Sequence, residues 1–351
     1  MSNNFHKEEN ERVILLSYTE AAARAGVSEM TIRRRVEDGS LPKVRQGARS
    51  KVRLNDLQAL YPEVATDSRT HTPKHPCRVI ALANQKGGVG KTSTCANLAA
   101  ALSSNSLVLA IDCDPQGNLT QALGPNPDTL EVTLYNVLVE RVPLEKALLN
   151  PILNEPNLSL IGANLELASA DHQLAGAVAR EMRLRQVLEP LMTRFDYILI
   201  DCPPALGLLT LNALSVATEV IVPVDMGVFS LRGVAKLMDT ISEIRSVNPE
   251  LRRVRALSNR SDNTNLSLDV RGELKRAFGD DLFETSIRRS VKIGEAQAAR
   301  TPITLYRAKD PAALDYFALA EEVRQANLEG GTPPVKGKQM PRKVQEVVDA
   351  A

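Results

Sequence analysis

The sequence predicts an α/β fold in which helices flank a mostly parallel sheet, together with a small second domain that precedes it in the chain. After residue 77, apolar runs of strand length alternate with helical patterns, which is typical of such sheets. One apolar run leads into a glycine-rich turn and then into an Ala/Leu-rich helix. Before these elements, the segment from Val64 to Cys77 (VATDSRTHTPKHPC) is polar, contains prolines and has no apolar periodicity, which indicates a linker.

The composition is that of a folded and nearly neutral protein. The chain has 351 residues, enough for about two domains with separate cores. Lys plus Arg number 43 and Asp plus Glu number 42, so the net charge of +1 points to no particular partner. The four cysteines are widely spaced, which argues against a disulfide scaffold or a zinc knuckle. Because no stretch resembles a leader or a membrane span, we expect a cytoplasmic protein with no membrane partner.

The sequence divides into five predicted parts. They are a flexible N-terminus over 1–12, a small domain over 13–64, a linker over 65–77, a large α/β domain over 78–328 and a mobile tail over 329–351. The strands expected in the large domain are Val79 to Ala83, Leu107 to Ile111, Tyr197 to Ile200, Val220 to Val224 and Val254 to Leu257. The helices expected there are Lys91 to Leu102, Leu231 to Val247, Leu266 to Phe278 and Ala312 to Ala326.

The N-terminal domain is predicted to contact DNA. In LLSYTEAAARAGVSEMTIRRRVEDGS, two short helical patterns flank a turn at Gly26, the arrangement of a helix-turn-helix. Ser28 is expected to cap a second helix from Glu29 to Asp38, in which Ile32 and Val36 pack into the core. Recognition helices contact base edges with the residues near their start. The DNA-binding residues predicted on this helix are Met30, Thr31, Arg33 and Arg34.

A basic hairpin follows this helix and leads to an apolar helix from Asp56. The stretch from Ser28 to Arg53 holds eight basic and three acidic residues, a net charge of +5. The module resembles a winged helix of the MerR or excisionase type, and the resemblance implies binding to operator DNA. A solvated face or a protein contact is the alternative reading of the arginines.

A nucleotide site is predicted by VIALANQKGGVGKTSTCANLAAAL, because a β-branched run enters a glycine-rich turn and leaves as a helix. The glycines let backbone N–H groups converge on phosphate oxygens, and the helix adds its positive N-terminal end. Lys91 can reach the β and γ phosphates, and Thr92 offers a hydroxyl to Mg²⁺. The predicted ATP-binding residues of this segment are Gln85, Lys86, Gly87, Gly88, Val89, Gly90, Lys91, Thr92 and Ser93.

Two later strand ends add carboxylates to this site. Asp112 and Asp114 lie in AIDCDPQGN, and Asp201 ends the apolar run of FDYILIDCPPAL. Parallel sheets gather their ligands at the carboxyl ends of the strands, where a carboxylate can orient the attacking water or hold a metal-bound water. We therefore predict catalytic roles for both residues of the first segment and magnesium roles for Thr92, Asp112 and Asp201. A cap at the strand end is the alternative role of Asp112.

The loop departs from the common P-loop pattern, because Gln85 occupies the place of its first glycine and a second lysine, Lys86, opens the loop. K-G-G-V-G-K-T resembles the deviant Walker A box of the ParA/MinD family of ATPases. The resemblance implies that Lys86 reaches the phosphates of a partner subunit in an ATP-bound homodimer, while Lys91 acts on its own. It also implies that Asp114 is the hydrolytic aspartate, that Asp201 belongs to Walker B, and that ATP binding involves Asn259.

The resemblance extends from about Val79 to Ala326. TSIRRSVKIGEAQAARTPI resembles the base-contact and DNA-contact region of partition ATPases, but Arg288 and Gln297 stand where that family usually has proline. Basic residues in and before this stretch predict a nonspecific phosphate-binding face, with an ordinary solvated surface as the alternative. The residues of this predicted face are Arg271, Lys275, Arg288, Arg289 and Lys292.

The resemblance implies a Mg²⁺-dependent ATPase that dimerises on ATP, coats nucleoid DNA nonspecifically and is stimulated by a ParB-like centromere-binding protein. Its N-terminal module could also repress its own operon. The alternative is a sequence-specific transcription regulator whose dimer state is set by ATP.

Three further hypotheses each require a feature that the sequence lacks. A dinucleotide site lacks its third glycine, which is replaced by Ser93. An iron-protein reading needs cluster cysteines, whereas Cys113 and Cys202 are expected to be small buried side chains. A MinD-like membrane ATPase needs an amphipathic C-terminal helix, and the tail offers only MPRKVQEVVDAA.

Overall fold

The computed structural model describes residues 15–25, 27–46, 49–61, 76–226, 232–262 and 264–326. The predicted segments 1–12 and 329–351, and nearly all of the predicted linker 65–77, lie outside the described residues. The chain divides into two compact units, 1–71 and 72–351, and this division falls inside the predicted linker. Each unit has a hydrophobic core of its own.

The small unit packs helices against an antiparallel sheet. Its elements are β1 (Leu15–Leu16), α1 (Tyr18–Ala25), α2 (Glu29–Glu37), β2 (Lys43–Gln46), β3 (Arg49–Arg53) and α3 (Leu54–Leu60). The strand order is β1-β3-β2. Ile32 is fully buried, and Val36 packs against the same core, as their spacing of one helical turn predicts.

The ends of two helices in this unit differ slightly from the prediction. Ser28 caps α2 as expected, because its hydroxyl accepts a hydrogen bond from the Thr31 backbone N–H at 3.2 Å. The helix ends at Glu37, since Asp38 is the C-cap and its carboxylate accepts hydrogen bonds from Ser40. The helix predicted from Asp56 begins two residues earlier, directly after β3.

The large unit is an α/β domain. Its strands are β4 (Arg78–Leu82), β5 (Val108–Asp112), β6 (Leu148–Leu149), β7 (Leu158–Ile161), β8 (Tyr197–Asp201), β9 (Glu219–Asp225), β10 (Arg253–Ser261) and β11 (Leu282–Arg288). Its α-helices are α4 (Lys91–Ser103), α5 (Asn118–Ala122), α6 (Leu134–Leu138), α7 (Ala170–Gln173), α8 (Arg183–Leu188), α9 (Leu208–Val216), α10 (Arg232–Ile244), α11 (Asn265–Phe278), α12 (Val291–Ala298), α13 (Ile303–Tyr306) and α14 (Pro311–Gln325). Short 3-10 turns occupy Pro127–Thr129, Leu144–Lys146, Leu165–Ser169, Arg180–Met182, Glu189–Arg194 and Gly279–Asp281.

The strands of the large unit form one sheet in the order β11-β10-β9-β4-β8-β5-β7-β6. Neighbouring strands are parallel except β6 and β7. The central strands β4, β5 and β8 are buried along their whole length, because helices cover both faces of the sheet. One core cluster holds Val79 and Ile200 on one face, and another holds Ile80 and Leu199 on the other. The predicted α/β class is thereby confirmed.

All five predicted strands are present and form the centre of this sheet, whereas β6, β7 and β11 were not predicted. The four predicted helices correspond to α4, α10, α11 and α14, and α10 ends at Ile244 rather than Val247. The carboxyl ends of the parallel strands meet at one edge, so the glycine-rich loop after β4 lies beside the ends of β5 and β8. None of the described helices has the length and apolar character needed to cross a membrane.

Helix α14 packs against β11, the strand at one side of the sheet. The Glu322 carboxylate accepts hydrogen bonds from the backbone N–H groups of Glu284 and Thr285, both at 3.1 Å. The Asp315 carboxylate accepts one from the backbone N–H of Arg288 at 3.0 Å. Glu322 also pairs with the nearly buried Arg255 at 2.7 Å, so α14 is joined to the two outermost strands at this side of the sheet.

Candidate nucleotide-binding site

The glycine-rich loop runs from β4 to α4 with a backbone that only glycine adopts easily at two positions. Gly88 and Gly90 have φ angles of +71° and +92°. A Cβ at Gly90 would also overlap the Asn259 side-chain amide, so glycine is required there on two grounds. Lys91 is the first residue of α4 and only 6% exposed, and its Nζ donates to the Lys86 carbonyl at 3.3 Å. Its burial lowers the pKa of the Lys91 ammonium.

Amide side chains from three directions hold this loop in place. The Asn84 amide donates to the Pro223 carbonyl at 2.8 Å, and its oxygen accepts from the Lys86 backbone N–H at 3.0 Å. The buried Asn259, at the end of β10, donates to the Val89 carbonyl at 2.8 Å. Gln297 of α12 donates to the Ser93 hydroxyl at 2.6 Å. The loop is therefore shaped by the chain itself before any phosphate binds.

Thr92 and Asp201 form a pair that fits a magnesium ion. The Thr92 hydroxyl donates to Asp201 Oδ2 at 2.6 Å. Asp201 is fully buried, and its Oδ1 has no hydrogen-bond partner in the described part of the chain. Burial, and next the nearby Asp112 carboxylate, raise the pKa of Asp201 well above its usual range. A cation with bound waters would satisfy both the orphaned oxygen and the buried charge.

The donor set is too small for a cage made only of protein side chains. Among the described residues, no three His, Cys, Asp or Glu side chains come together as a metal site. Mg²⁺ commonly keeps several waters and binds through one or two protein groups plus nucleotide phosphates. A site with one hydroxyl and one carboxylate beside a phosphate-binding loop fits this mode of Mg²⁺ binding.

The two aspartates after β5 have different surroundings. Asp112 is fully buried, and its Oδ2 accepts hydrogen bonds from the Thr120 backbone N–H at 2.8 Å and hydroxyl at 2.7 Å. Its Oδ1 accepts from the Asp114 backbone N–H at 3.2 Å. Burial raises the pKa of Asp112 to about 7, although the Thr120 hydrogen bonds oppose this. Both oxygens are thus engaged in holding the turn before α5, the arrangement that a strand-end cap requires.

Among the described residues, the Asp114 carboxylate accepts one hydrogen bond, which comes from the turn that follows it. Its Oδ1 accepts from the Gln116 backbone N–H at 3.0 Å. Within the described residues, no hydrogen bond engages its Oδ2. Of the two predicted catalytic aspartates, Asp114 is therefore the one with a carboxylate oxygen available to a water.

Lys86 has a partly exposed side chain that is only loosely held. Its Nζ lies 3.9 Å from Asp225 Oδ2, at the limit of an ion pair, and the side chain is 37% exposed. Exposed pairs of this kind contribute little to stability. The ammonium can therefore leave Asp225 at small cost.

The predicted DNA-binding residues of α2 differ in their exposure and in their side-chain contacts with other residues of the small unit. Met30 is 77% exposed, and the Thr31 hydroxyl is 2.9 Å from that of Ser28. Arg33 pairs with Glu29 at 2.7 Å, and its guanidinium lies 5.7 Å from the centre of the Tyr18 ring. Arg34 is exposed and has no side-chain hydrogen bond or ion pair among the described residues.

On the large unit, most residues of the predicted basic face are paired with groups of the same chain. Arg271 donates to the hydroxyls of Ser258 and Ser286, and Arg288 makes two hydrogen bonds of 2.8 Å to Asp315. Two lysines pair with glutamates, Lys275 with Glu284 at 2.9 Å and Lys292 with Glu295 at 2.6 Å. Arg289 has no such side-chain pair in the described part of the chain. The structure therefore does not bring the five residues together as five free charges.

Three supporting residues of the site were not predicted. Asn84 directly precedes the loop as a polar residue after an apolar strand, a signal that could have been used. Thr120 and Asp225 gave no comparable signal, because they meet Asp112 and Lys86 only through the fold.

The comparisons with known proteins point to one family. A model of the AAA domain family matches residues 77–253. The sporulation initiation inhibitor protein Soj of Bacillus subtilis is 39% identical over 249 residues, which cover 70% of this chain and 98% of Soj. The chromosome partitioning protein ParA of Caulobacter vibrioides is 39% identical over 254 residues, 71% of this chain and 94% of ParA.

The similar solved structures agree with this assignment. Cobyrinic acid a,c-diamide synthase from Mycobacterium smegmatis, solved with ADP and magnesium, is 35% identical with a TM-score of 0.61, and the match covers 76% of this chain and 98% of that one. The cell division ATPase MinD of Pyrococcus furiosus is 25% identical with a TM-score of 0.58, and the match covers 71% of this chain and 99% of that one. The chain therefore belongs to the ParA/MinD-type family of P-loop ATPases.

Proposed function

We propose that this protein is a Mg²⁺-dependent ATPase that segregates DNA. The observation that carries the proposal is the loop with two lysines, Lys86 and Lys91, placed beside Thr92 and Asp201 at the carboxyl edge of the sheet. Its similarity to Soj and ParA, over nearly their full lengths, supports partition as the purpose of the hydrolysis.

Each residue of the site has a definite task in this proposal. Lys91 and the loop N–H groups bind the β and γ phosphates of ATP, while Asn259 keeps the loop in its phosphate-binding shape. Thr92 and Asp201 hold Mg²⁺, which neutralises phosphate charge when it is bound. Asp114 orients the attacking water through its available carboxylate oxygen.

Lys86 gives the reaction its dependence on a second subunit. We assign the loop to the deviant Walker A type, in which Lys86 leaves Asp225 and reaches the phosphates bound by the partner of an ATP homodimer. Because the ion pair at 3.9 Å is weak, this movement of Lys86 requires little free energy. A ParB-like protein bound to a centromere-like site then stimulates hydrolysis and releases the dimer from DNA.

DNA binding is assigned to both units. The small unit acts as a winged helix-turn-helix in which α2 contacts operator bases, and this contact represses the protein's own operon. The ATP dimer binds nucleoid DNA nonspecifically through basic residues of the large unit, with Arg289 contributing most. The protein consequently works in the cytoplasm, on the nucleoid.

The proposed function is tested by measuring how reliably daughter cells inherit the cargo DNA. Cells whose only copy carries Lys91→Ala or Asp114→Ala are expected to lose the cargo plasmid or chromosome at division far more often than the parent. Lys146→Ala, which changes an exposed lysine on a 3-10 turn, is the matched control and should leave segregation unchanged. The measurement is the fraction of cargo-free cells per generation.

The exposed Met30 and Arg34 of α2 favour the rival function, a transcription regulator whose dimer state is set by ATP. Unchanged inheritance in the Lys91 and Asp114 variants, together with altered transcription of neighbouring genes, would replace the partition proposal with this one.

A further inference from the structure

An exposed side chain of helix α12 contacts the nucleotide-binding segment. The Gln297 Nε2 donates to the Ser93 hydroxyl oxygen at 2.6 Å, although the two residues are 204 positions apart. Ser93 directly follows Thr92 in the first turn of α4. A proline at the position of Gln297 has no side-chain donor, so this hydrogen bond depends on the glutamine of this chain.

A second, buried contact holds α13, the helix that follows α12, beside α4. The Asn97 amide donates to the Ser93 carbonyl at 2.8 Å, and its oxygen accepts from the Thr304 backbone N–H at 3.2 Å. Both Asn97 and Thr304 are almost fully buried. The backbone of Ser93 is therefore joined through the core to α13. The Thr301 backbone N–H donates to the Ala296 carbonyl at 3.0 Å, which links the turn before α13 to the helix that carries Gln297.

The direction of the Gln297 bond decides what Ser93 can do. A serine hydroxyl has one O–H donor and two lone pairs. Because Gln297 donates to the oxygen, the hydroxyl hydrogen remains available to another acceptor. The Ser93 hydroxyl lies in the first turn of α4, where the helix N-terminus attracts anions. Consecutive hydrogen bonds, here from Gln297 to Ser93 and from Ser93 to an acceptor, strengthen one another.

We propose that Gln297 is a nucleotide-positioning residue that acts through Ser93. Its amide holds the Ser93 oxygen so that the hydroxyl hydrogen is directed to a phosphate oxygen of bound ATP. This inference rests on the proposed function only in taking ATP as the ligand, and it does not depend on DNA segregation.

A double-mutant cycle tests this inference on the full-length protein. The variants are Ser93→Ala, Gln297→Ala and the two together, and the readout is the dissociation constant of a fluorescent ATP analogue with Mg²⁺. Each single change is expected to weaken binding about three- to tenfold, the effect of losing one hydrogen bond. The double variant should bind no more weakly than Ser93→Ala alone, because Gln297 has nothing to orient without the hydroxyl.

An isosteric change separates orientation from packing. Gln297→Glu has nearly the same shape but accepts a hydrogen bond, so the Ser93 hydroxyl would turn toward residue 297 and away from the phosphate. Because the carboxylate also repels the ATP phosphates, its effect is measured with and without Ser93→Ala, and only the part that Ser93→Ala removes reports on the hydroxyl. We expect Gln297→Glu to weaken nucleotide binding more than Gln297→Ala does. Gln325→Ala, on a glutamine bonded within its own helix α14 to Glu321, is the control and should leave the dissociation constant unchanged.

Three outcomes would overturn the inference. Additive effects of the Ser93 and Gln297 changes would show that Gln297 does not act through the hydroxyl. Unchanged affinity in Gln297→Ala, with or without a lower melting temperature, would leave only a structural contact. Failure of the unaltered protein to bind the analogue would overturn the ATP proposal as well, whereas normal binding with failed DNA segregation would overturn partition alone.

Discussion

The two lysines of the glycine-rich loop differ in burial, and this difference separates their expected roles. Lys91 is nearly buried at the start of α4, whereas the Lys86 side chain is partly exposed and loosely held by Asp225. Lys91→Ala should weaken ATP binding about a hundredfold or more, because charge-assisted hydrogen bonds to two phosphates are lost. Lys86→Ala should leave ATP binding by the monomer intact and prevent the ATP dimer.

Equilibrium titration with ATP measures the first effect, and sedimentation with a slowly hydrolysed analogue measures the second. Equal ATP affinity in Lys91→Ala and the parent would contradict the nucleotide site. A normal dimer in Lys86→Ala would contradict the role of that lysine in the partner subunit.

Asp114 and Asp112 form a second matched pair of substitutions. Asp114→Ala should trap the ATP-bound dimer on DNA and abolish turnover, because the water loses its orienting carboxylate while nucleotide contacts remain. Asp112→Ala should instead lower stability by about 1–3 kcal/mol, because the buried Thr120 donors lose their acceptor. Phosphate release and thermal melting of both variants decide the assignment. Normal hydrolysis in Asp114→Ala would transfer the catalytic role elsewhere.

Among the structural elements, helix α2 carries the proposed operator contacts. Arg33→Ala with Arg34→Ala should remove binding to the DNA upstream of the protein's own gene and preserve ATP-dependent binding to random duplex, since base contacts specify and phosphate contacts position. The Arg33–Glu29 pair is exposed and therefore weak, so Arg33 can leave it for DNA, and each single change should cause part of the loss. Binding is measured on both DNAs with and without ATP. Loss of binding to random duplex as well would contradict two separate DNA surfaces.

The segment from β11 into α12 carries the second proposed DNA surface. Its two neighbouring arginines are expected to contribute unequally to DNA binding, because Arg288 forms an ion pair within the chain. Arg289→Ala should flatten the slope of log affinity against log salt by about 0.9, the value for one lost phosphate contact. Arg288→Ala should change that slope less, because its guanidinium already pairs with Asp315. A salt series with random duplex and ATP measures both slopes. Equal slopes in Arg289→Ala and the parent would exclude this residue from the DNA surface.

At the scale of the whole molecule, the centre of the sheet and the phosphate loop were predictable because their signals are local. Continuous apolar runs such as Leu107 to Ile111 indicate strands buried on both faces. The strand β7 has only four residues, and β11 alternates irregularly between buried and exposed positions, so neither gave a clear pattern. Contacts between distant residues left no signal at all, and Asp315 neutralises Arg288 from 27 positions away.

Glu322 joins helix α14 to the sheet and offers a test of the fold as a whole. Arg255 lies on the Phe283 ring at 3.6 Å and is nearly buried, so Glu322→Ala would leave its charge without a counterion. We expect a loss of about 3 kcal/mol in the free energy of unfolding. Glu321→Ala, on the exposed neighbour that pairs with Arg324, should change stability little. Chemical denaturation measures both variants, and equal stabilities would contradict this role.

The covering of β11 by α14 also limits how molecules of this protein can associate. An outer strand with free N–H groups is a template for strands of other chains. Here carboxylates of α14 accept the N–H groups of Glu284, Thr285 and Arg288, and the opposite edge strand, β6, has only two residues. These contacts leave fewer N–H groups of β11 free to pair with a strand of another molecule, so they oppose extension of the sheet at this edge.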